Sequence, residues 1–244
     1  MNYLEKHWKK AMVLLMLCCL FLGIALLLLL YRDGYFKSLY HTMNAASYSY
    51  QDNAQYIQRE SMFEMCPVQK ADIVFVGDSI TARGEWQEFF PDQVVLNRGI
   101  DSDVTEGVRN RLSVIIEAQP KKIFLMIGIN DLRQGISSET TLNYYGQILD
   151  DLTAALPDCE IYVQSILPVH SSTSIPNKDV QTLNASIQEL AIKHDVTYVD
   201  IYSLLADEDN DLPKAYSIDG VHMTGEGYGI WVEALKPYVQ ERGF

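Results

Sequence analysis

The stretch that decides the fold is ADIVFVGDSITARGEW, residues 71–86. Within it an apolar run, Ile73–Val76, ends in Gly77-Asp78-Ser79 and passes directly into a polar turn. Short runs rich in β-branched residues are typical of buried parallel strands, and ligands bind where such strands end. Ser79 could therefore be a nucleophile, although an N-cap of the next helix is the simpler interpretation of this stretch alone.

The rest of the chain alternates apolar runs with stretches whose apolar residues recur at helix spacing, such as 142–156 and 180–191. Asp103-Val-Thr-Glu106 resembles a capping box that opens another helix. This alternation predicts one three-layer α/β/α sandwich with a five-stranded parallel sheet, within residues 48–244. The predicted strands are Asp72–Val76, Val94–Asn97, Lys122–Ile127, Glu160–Ile166 and Val196–Ile201.

The composition restricts the class of protein. The chain has 244 residues, of which 48% are hydrophobic, and this is enough for one large packed domain. The net charge of −13 at pH 7 would repel phosphate backbones, so nucleic acid is not an expected partner. No Cys and His cluster has metal-ligand spacing, and the sequence indicates neither a metal nor an organic cofactor.

The N-terminal part of the chain differs from the rest. Residues 11–31 carry no charge, and at about 1.5 Å per residue they span a bilayer core of roughly 30 Å. We interpret them as an uncleaved transmembrane signal anchor. A cleaved signal peptide is the alternative, but the apolar run is longer than usual and no clear small-x-small site follows it.

Lysines at positions 6, 9 and 10 precede this segment, so the positive-inside rule predicts that residues 1–10 are cytoplasmic. Residues 32–47 would form a juxtamembrane spacer, and residues 48–244 would be an extracellular domain on a single-pass membrane protein. Cys66 and Cys159 would both be exported, and a single disulfide between them is possible. One such pair is not a disulfide framework.

Polar residues follow the predicted strands at the edge where parallel sheets bind ligands. A serine needs a base to take its proton, and His222 is the candidate because Asp219, three residues earlier, can orient its ring. His170 also falls in a loop, but it has no acidic residue nearby in sequence and is interpreted as a surface residue. Asn130, in a Gly-x-Asn-Asp turn, can offer its amide to a developing oxyanion.

These blocks resemble the SGNH hydrolases, or GDSL esterases and lipases, and especially the branch similar to platelet-activating-factor acetylhydrolase. The resemblance begins near residue 61 and includes Gly-Asp-Ser-Ile at 77–80, Gly-Ile-Asn-Asp at 128–131 and Asp-Gly-Val-His at 219–222. It implies that Ser79 is the nucleophile, His222 the base and Asp219 the acid. It also implies an oxyanion hole that includes the Ser79 N–H and the Asn130 side chain.

The second block departs from the family pattern. The family usually has Asn-x-Gly-Ile-Gly-Gly-Asp there, and the glycine before the aspartate supplies a backbone N–H to the oxyanion. In this chain Ser102 occupies that position, after Asp101. Because the donor is main chain, Ser102 can still supply it where the loop's φ and ψ are allowed to an L-residue.

The N-terminal segment and the resemblance together predict a membrane-anchored, exported serine esterase, and the resemblance favours short-chain, especially acetyl, esters. An O-acetyltransferase acting on cell-surface glycans and a catalytically inactive surface binding module are the alternatives. The expected substrate is an acetylated carbohydrate or a lysophospholipid, and the acidic charge favours the carbohydrate. Five aromatic residues near the motifs are expected to be mostly core, with one or two at the pocket rim; they are Trp86, Phe89, Phe90, Tyr228 and Trp231.

Overall fold

The computed structural model describes residues 3–32, 48–66 and 70–240, in two compact units, residues 1–47 and 48–244. Helix α1 (Tyr3–Arg32) belongs to the first unit. Its 23 residues Lys10–Arg32 include an 18-residue window with a mean hydropathy of 3.2 and are long and apolar enough to cross a membrane, and a signal sequence would fit the same description. Residues 33–47 of the predicted spacer lie outside the described residues.

The second unit is built on a five-stranded sheet in the order β2-β1-β3-β4-β5, and each neighbouring pair is parallel. The predicted fold class is therefore confirmed. The strands are β1 Ile73–Gly77, β2 Val95–Gly99, β3 Lys122–Met126, β4 Glu160–Gln164 and β5 Thr197–Val199.

Strand β5 is shorter than the predicted range Val196–Ile201, and hydrogen bonds at both ends explain the difference. The N–H of Val196 donates to the carbonyl of Ala191 in the preceding helix, at 3.0 Å. The N–H of Ile201 donates to the Ser165 hydroxyl, at 2.8 Å. Both groups are therefore used outside the strand ladder.

Helices connect the strands and cover the sheet. The two longest, α8 and α9, carry the apolar stripes predicted for residues 142–156 and 180–191. A 3₁₀ turn, Tyr50–Asp52, precedes α2. The helices of this unit are α2 Ala54–Met65, α3 Ser79–Ala82, α4 Trp86–Phe89, α5 Thr105–Asn110, α6 Ser113–Ile116, α7 Ile129–Gln134, α8 Ser138–Ala155, α9 Asn177–Lys193, α10 Tyr202–Leu205 and α11 Gly225–Val239.

Stacked aromatic rings line one face of the sheet. Phe75 of β1 and Phe124 of β3 are register partners with ring centroids 5.0 Å apart, and Tyr162 of β4 continues the ladder at 4.8 Å. Trp86 stacks on Phe75 at 4.0 Å, and Trp231 of α11 contacts Trp86 at 4.8 Å. Large buried rings dominate core energetics, so this ladder fixes α11, and with it the chain just before α11, against the sheet.

The turn after β1 begins a helix directly. Asp78 is the N-cap of α3, and its carboxylate accepts a hydrogen bond from the N–H of Ile80 at 2.9 Å. Ser79 is therefore the first residue of α3, and the simpler interpretation of Ser79 as the cap was wrong. A Cβ at Gly77 would clash with the hydroxyl of Thr81 and the carbonyl oxygen of Met126, so the close packing of β1 against α3 and β3 requires glycine there.

The loop after β2 contains a buried ion pair in place of the predicted capping box. The cap of α5 is Val104, with no side-chain hydrogen bond, and Asp103 instead accepts from Arg111 Nη2 at 2.8 Å and Nε at 2.9 Å. Both side chains are fully buried. Arg111 Nη2 also donates to the carbonyl of Gly77 at 3.1 Å, so this pair joins the loop after β2 to the end of β1.

The two cysteines considered for a disulfide, Cys66 and Cys159, are both free thiols. Cys66 ends the α2 region and is exposed, whereas Cys159 is partly covered just before β4. Burial raises the pKa of Cys159 to about 12, which makes it a poor nucleophile at neutral pH.

We expect Arg111→Met to destabilise the domain by about 3–5 kcal/mol, because it leaves the Asp103 carboxylate buried without its partner. The matched control is Lys236→Met, which removes an exposed pair with Glu233 and should cost less than about 1 kcal/mol. Urea unfolding followed by circular dichroism measures both. Equal losses in the two variants would contradict the structural role of the buried pair.

Candidate active site

Ser79 and His222 are brought together from opposite ends of the domain. Ser79 lies at the start of α3, directly beyond β1, and His222 lies in the loop before α11. The Ser79 hydroxyl is 2.8 Å from His222 Nε2, a hydrogen-bonding distance. The serine is therefore placed where an imidazole base can take its proton.

Asp219 orients the His222 ring from the other side. Asp219 Oδ2 lies 2.5 Å from His222 Nδ1, and Oδ1 accepts from the N–H groups of Val221 and His222 at 2.9 and 2.8 Å. Partial burial raises the pKa of Asp219, but the bonds from the His222 ring and these two amides outweigh it and hold the pKa well below its usual range. An ionised carboxylate only accepts, so Nδ1 carries the proton and Nε2 faces Ser79 as an acceptor.

The 219–222 turn is fixed by its own backbone. Gly220 has a φ of +88°, in the region that favours glycine, and its N–H donates to the Ser217 hydroxyl at 2.9 Å. The same hydroxyl donates to the carbonyl of His222 at 2.8 Å. Ser217 therefore closes the turn that presents Asp219 and His222 together.

Asn130 lies in the first turn of α7, which follows Gly128 with its φ of +131°. Its amide donates one hydrogen bond to the carbonyl of Asp103, at 3.0 Å, and the residue is 4% exposed. An amide nitrogen carries two hydrogens. The bond to Asp103 orients the side chain and leaves the second hydrogen for an oxygen in the cleft.

Ser102 adopts a left-handed conformation with a φ of +61°, the conformation that suits a glycine. Its carbonyl accepts from the Tyr48 hydroxyl at 2.9 Å, and its own hydroxyl accepts from Arg133 Nη2 at 3.1 Å. The serine therefore adopts a backbone conformation that favours glycine, the residue that the family pattern has at this position.

All five predicted site residues line one cleft of about 330 Å³: Ser79, Ser102, Asn130, Asp219 and His222. Asp101, which precedes Ser102 in the second block, also lines it, and sequence analysis did not identify the other lining residues, which are Arg83, Ile129, Arg133, Ile175 and Val221. Helix spacing could have found two of them. Arg83, the C-cap of α3, lies four residues after Ser79, and Arg133 lies three residues after Asn130 in α7. At these spacings each arginine lies on the same side of its helix as a predicted site residue.

The five aromatic residues are absent from the described lining of this cleft. Four of them are buried in the core, and Phe89 is 37% exposed, away from the cleft. The expectation that one or two line the pocket rim was therefore wrong, because the ladder on the sheet face holds Trp86 and Trp231, and Tyr228 donates to the carbonyl of Ile80 at 2.6 Å.

His170 lies outside the cleft lining. Its Nδ1 is 2.8 Å from the Ser172 hydroxyl, and its Nε2 is 3.9 Å from a carboxylate oxygen of Asp211. Within residues 3–32, 48–66 and 70–240, no three His, Cys, Asp or Glu side chains are grouped to hold a metal ion. The arrangement of Ser79, His222 and Asp219 supports nucleophilic attack by a serine.

Comparison with solved structures gives matches over about three quarters of this chain. A Streptococcus pneumoniae protein named after platelet activating factor is 29% identical, with a TM-score of 0.70 over 77% of this chain and 92% of that protein. A GDSL-like lipase from Bacteroides thetaiotaomicron is 22% identical, with a TM-score of 0.64 over 76% and 97% of the two chains. The acetylxylan esterase of Geobacillus stearothermophilus is 16% identical, with a TM-score of 0.57 over 73% and 97%.

No curated protein matches the chain. The model of the GDSL-like lipase/acylhydrolase family matches residues 75–230, which is more than half of the chain and includes every residue of the candidate site. The chain therefore belongs to the GDSL-like lipase/acylhydrolase family, and it is a carboxylic ester hydrolase.

Proposed function

We propose that the domain is a serine esterase in which Ser79 is the nucleophile, His222 the general base and Asp219 the residue that orients His222. The single observation that carries this proposal is the continuous line of hydrogen bonds from Asp219 Oδ2 through the His222 ring to Ser79 Oγ. Family membership supports the reaction class, and this line of bonds supports the roles of the individual residues.

In the first half of the reaction Ser79 Oγ attacks the ester carbonyl carbon while its proton moves to His222 Nε2. Collapse of the tetrahedral intermediate breaks the bond to the alcohol oxygen, which takes the proton from His222. Water then attacks the acyl-enzyme, gives a proton to His222 and releases the carboxylic acid, and the proton returns to Ser79. The ionised Asp219 stabilises the imidazolium at each step.

Three donors would hold the negative oxygen of the intermediate: the N–H of Ser79, the N–H of Ser102 and the side-chain amide of Asn130. The Ser79 N–H lies at the first position of α3, where backbone N–H groups have no partner within the helix. Ser102 and Asn130 line the same cleft as Ser79. Preorganised donors of this kind supply a large share of catalysis in acyl transfer.

Ser79→Ala should lower kcat on p-nitrophenyl acetate by at least about 10³-fold, because the attacking oxygen is removed while the fold is kept. The matched control is Ser113→Ala, which alters a serine that does not line the cleft and should leave the rate unchanged. A fluorophosphonate should label the parent chain and the Ser113→Ala variant but not Ser79→Ala. Turnover that survives in Ser79→Ala would overturn the assignment.

We infer that the substrate carries a short acyl group and is an acetylated carbohydrate. Charged and polar side chains surround much of the cleft, including Arg83, Asp101 and Arg133, while Ile129 and Ile175 add a small apolar area. A short acyl group needs little apolar surface, and a sugar offers hydroxyls to the charged groups. The fold of an acetylxylan esterase is among the similar structures and is compatible with this substrate.

The ratio kcat/KM should be at least about 10-fold higher for p-nitrophenyl acetate than for p-nitrophenyl octanoate. The six additional methylenes would lie against charged side chains and would gain little of the roughly 0.8 kcal/mol available to each buried CH₂. The butyrate ester should fall between the two. A preference for octanoate, or for lysophosphatidylcholine over an acetylated xylo-oligosaccharide, would contradict the inference.

We also propose that α1 anchors the domain to a membrane, with residues 48–244 outside the cell. The supporting observations are the length and hydropathy of Lys10–Arg32 and the lysines that precede it. A signal sequence shares these properties, so an experiment has to separate retention from cleavage, and outside from inside.

The exposed thiol of Cys66 supplies a probe of this topology. A membrane-impermeant maleimide should label Cys66 in intact cells, and the labelled chain should stay in the membrane pellet after an alkaline carbonate wash. Cys66→Ser is the control that assigns the label. Labelling only after lysis would contradict the orientation, and labelled protein in the soluble fraction, with a mass lacking α1, would contradict the anchor.

A further inference from the structure

Residues 48–66, the first described residues after α1, pack against the loop that carries Ser102. We call them the 48–66 segment. A small hydrophobic cluster, separate from the main core, joins the two parts. From the segment it takes Tyr50, Tyr56 and Phe63, and from the β2 loop it takes Ile100 and Val104, the residues just before and just after positions 101–103. The cluster therefore fixes both ends of that short loop.

Two side chains of the segment also hold the main-chain oxygens of the loop. Asn53 Nδ2 donates to the carbonyl of Asp101 at 2.9 Å, and the Tyr48 hydroxyl donates to the carbonyl of Ser102 at 2.9 Å. The loop's own side chains are held from the domain, because Asp101 pairs with Arg83 at 3.2 Å and Ser102 accepts from Arg133 at 3.1 Å.

The bond from Asn53 has a direct consequence for the N–H of Ser102. The carbonyl of Asp101 and the N–H of Ser102 belong to one planar, trans peptide unit, in which the C=O and the N–H point in opposite directions. A donor that holds the carbonyl oxygen therefore sets the direction of the N–H. The bond from Tyr48 does the same for the next peptide plane, so the two bonds together fix ψ and φ about Ser102.

Such external support is needed because Ser102 has a φ of +61°, where an L-residue with a Cβ is strained. Glycine would hold this conformation without strain. Burial, together with Asp103 and Asp131, raises the pKa of Tyr48 to about 12, so its hydroxyl remains a donor throughout the neutral and mildly alkaline range. The family model matches residues 75–230, so the two donors, Tyr48 and Asn53, precede the matched region while their acceptors lie within it.

We propose that Asn53 and Tyr48 are positioning residues for the reaction: through the carbonyls of Asp101 and Ser102 they hold the Ser102 N–H toward the oxyanion, and a serine can therefore stand in place of the glycine. The proposal rests on the oxyanion role of Ser102 in the proposed function. It makes the 48–66 segment part of the catalytic unit rather than a linker.

The test uses the full chain with Asn53→Ser and Tyr48→Phe. Asn53 also caps α2 by accepting from the N–H of Gln55, and serine is an equally good N-cap, so Asn53→Ser removes the donor to Asp101 while keeping the cap. Tyr48→Phe removes one hydroxyl. The matched control is Tyr144→Phe, which removes a hydroxyl that donates to Glu106 at 2.7 Å, outside the cleft lining.

Each test variant should lower kcat on p-nitrophenyl acetate about 5–50-fold with KM within about twofold, since losing an oxyanion donor altogether costs about 10²–10³-fold. The control should keep the parent kcat. In the Ser102→Gly background each test substitution should lower kcat by a much smaller factor than it does with Ser102, because glycine needs no external support in this conformation. A purely structural role would give equal losses in both backgrounds and a fall in the urea midpoint.

Parent-like kcat in both Asn53→Ser and Tyr48→Phe would overturn the proposal, and so would equal losses with Ser102 and with glycine. If one variant does not fold, the other carries the test. Ser79→Ala, run in the same assay, separates the two levels of inference. An active Ser79→Ala defeats the proposed function itself, whereas an inactive Ser79→Ala with a parent-like Asn53→Ser and Tyr48→Phe defeats only the positioning role.

Discussion

The buried ion pair of Asp103 and Arg111 is the interaction on which the geometry of the cleft depends. Arg111 also binds the carbonyl of Gly77, two residues before Ser79, and the carbonyl of Asp103 accepts from the side chain of Asn130. The ends of β1 and β3 and the loop after β2 therefore meet at one fully buried pair. A chain that lost it would leave a charge without a partner in the core, so the three loops cannot move independently.

Two further aspartates organise these loops in the same way. The Asp78 carboxylate caps α3, and the Asp131 carboxylate accepts from the N–H and hydroxyl of Thr105 at the start of α5. Burial raises the pKa of Asp78 to about 7 and that of Asp131 to about 6. Because burial favours the uncharged form of these two side chains, they contribute less to the net negative charge than exposed carboxylates do. Next to the cleft, they act as hydrogen-bond acceptors that hold the loops in place. The net charge of the whole chain consequently says little about the local field at Ser79.

Local sequence patterns were sufficient for most of the fold, and the five residues singled out by these patterns and by the family resemblance line one cleft. Apolar runs with a helix-period stripe between them specify strand and helix directly, and Gly77 to Ser79 marks its own turn. Two of the errors arose where a residue outside the local pattern competes for a local group. Ser165 takes the N–H of Ile201 and shortens β5, and Arg111 takes the carboxylate of Asp103 that a capping box would have used. The support of Ser102 by Asn53 joins positions 48 residues apart, beyond the reach of any local pattern.

The left-handed serine also restricts the order in which such a loop can arise. A glycine at position 102 tolerates the presence or the absence of hydrogen bonds to its neighbouring carbonyls, whereas a serine there is strained without them. The contacts from Asn53 and Tyr48 can therefore be acquired first at no cost to the loop, and the exchange of glycine for serine becomes tolerable only afterwards. Once the serine is in place, the contacts can no longer be lost freely. Two hydrogen bonds that a glycine makes optional become obligatory in this way once a serine occupies the position.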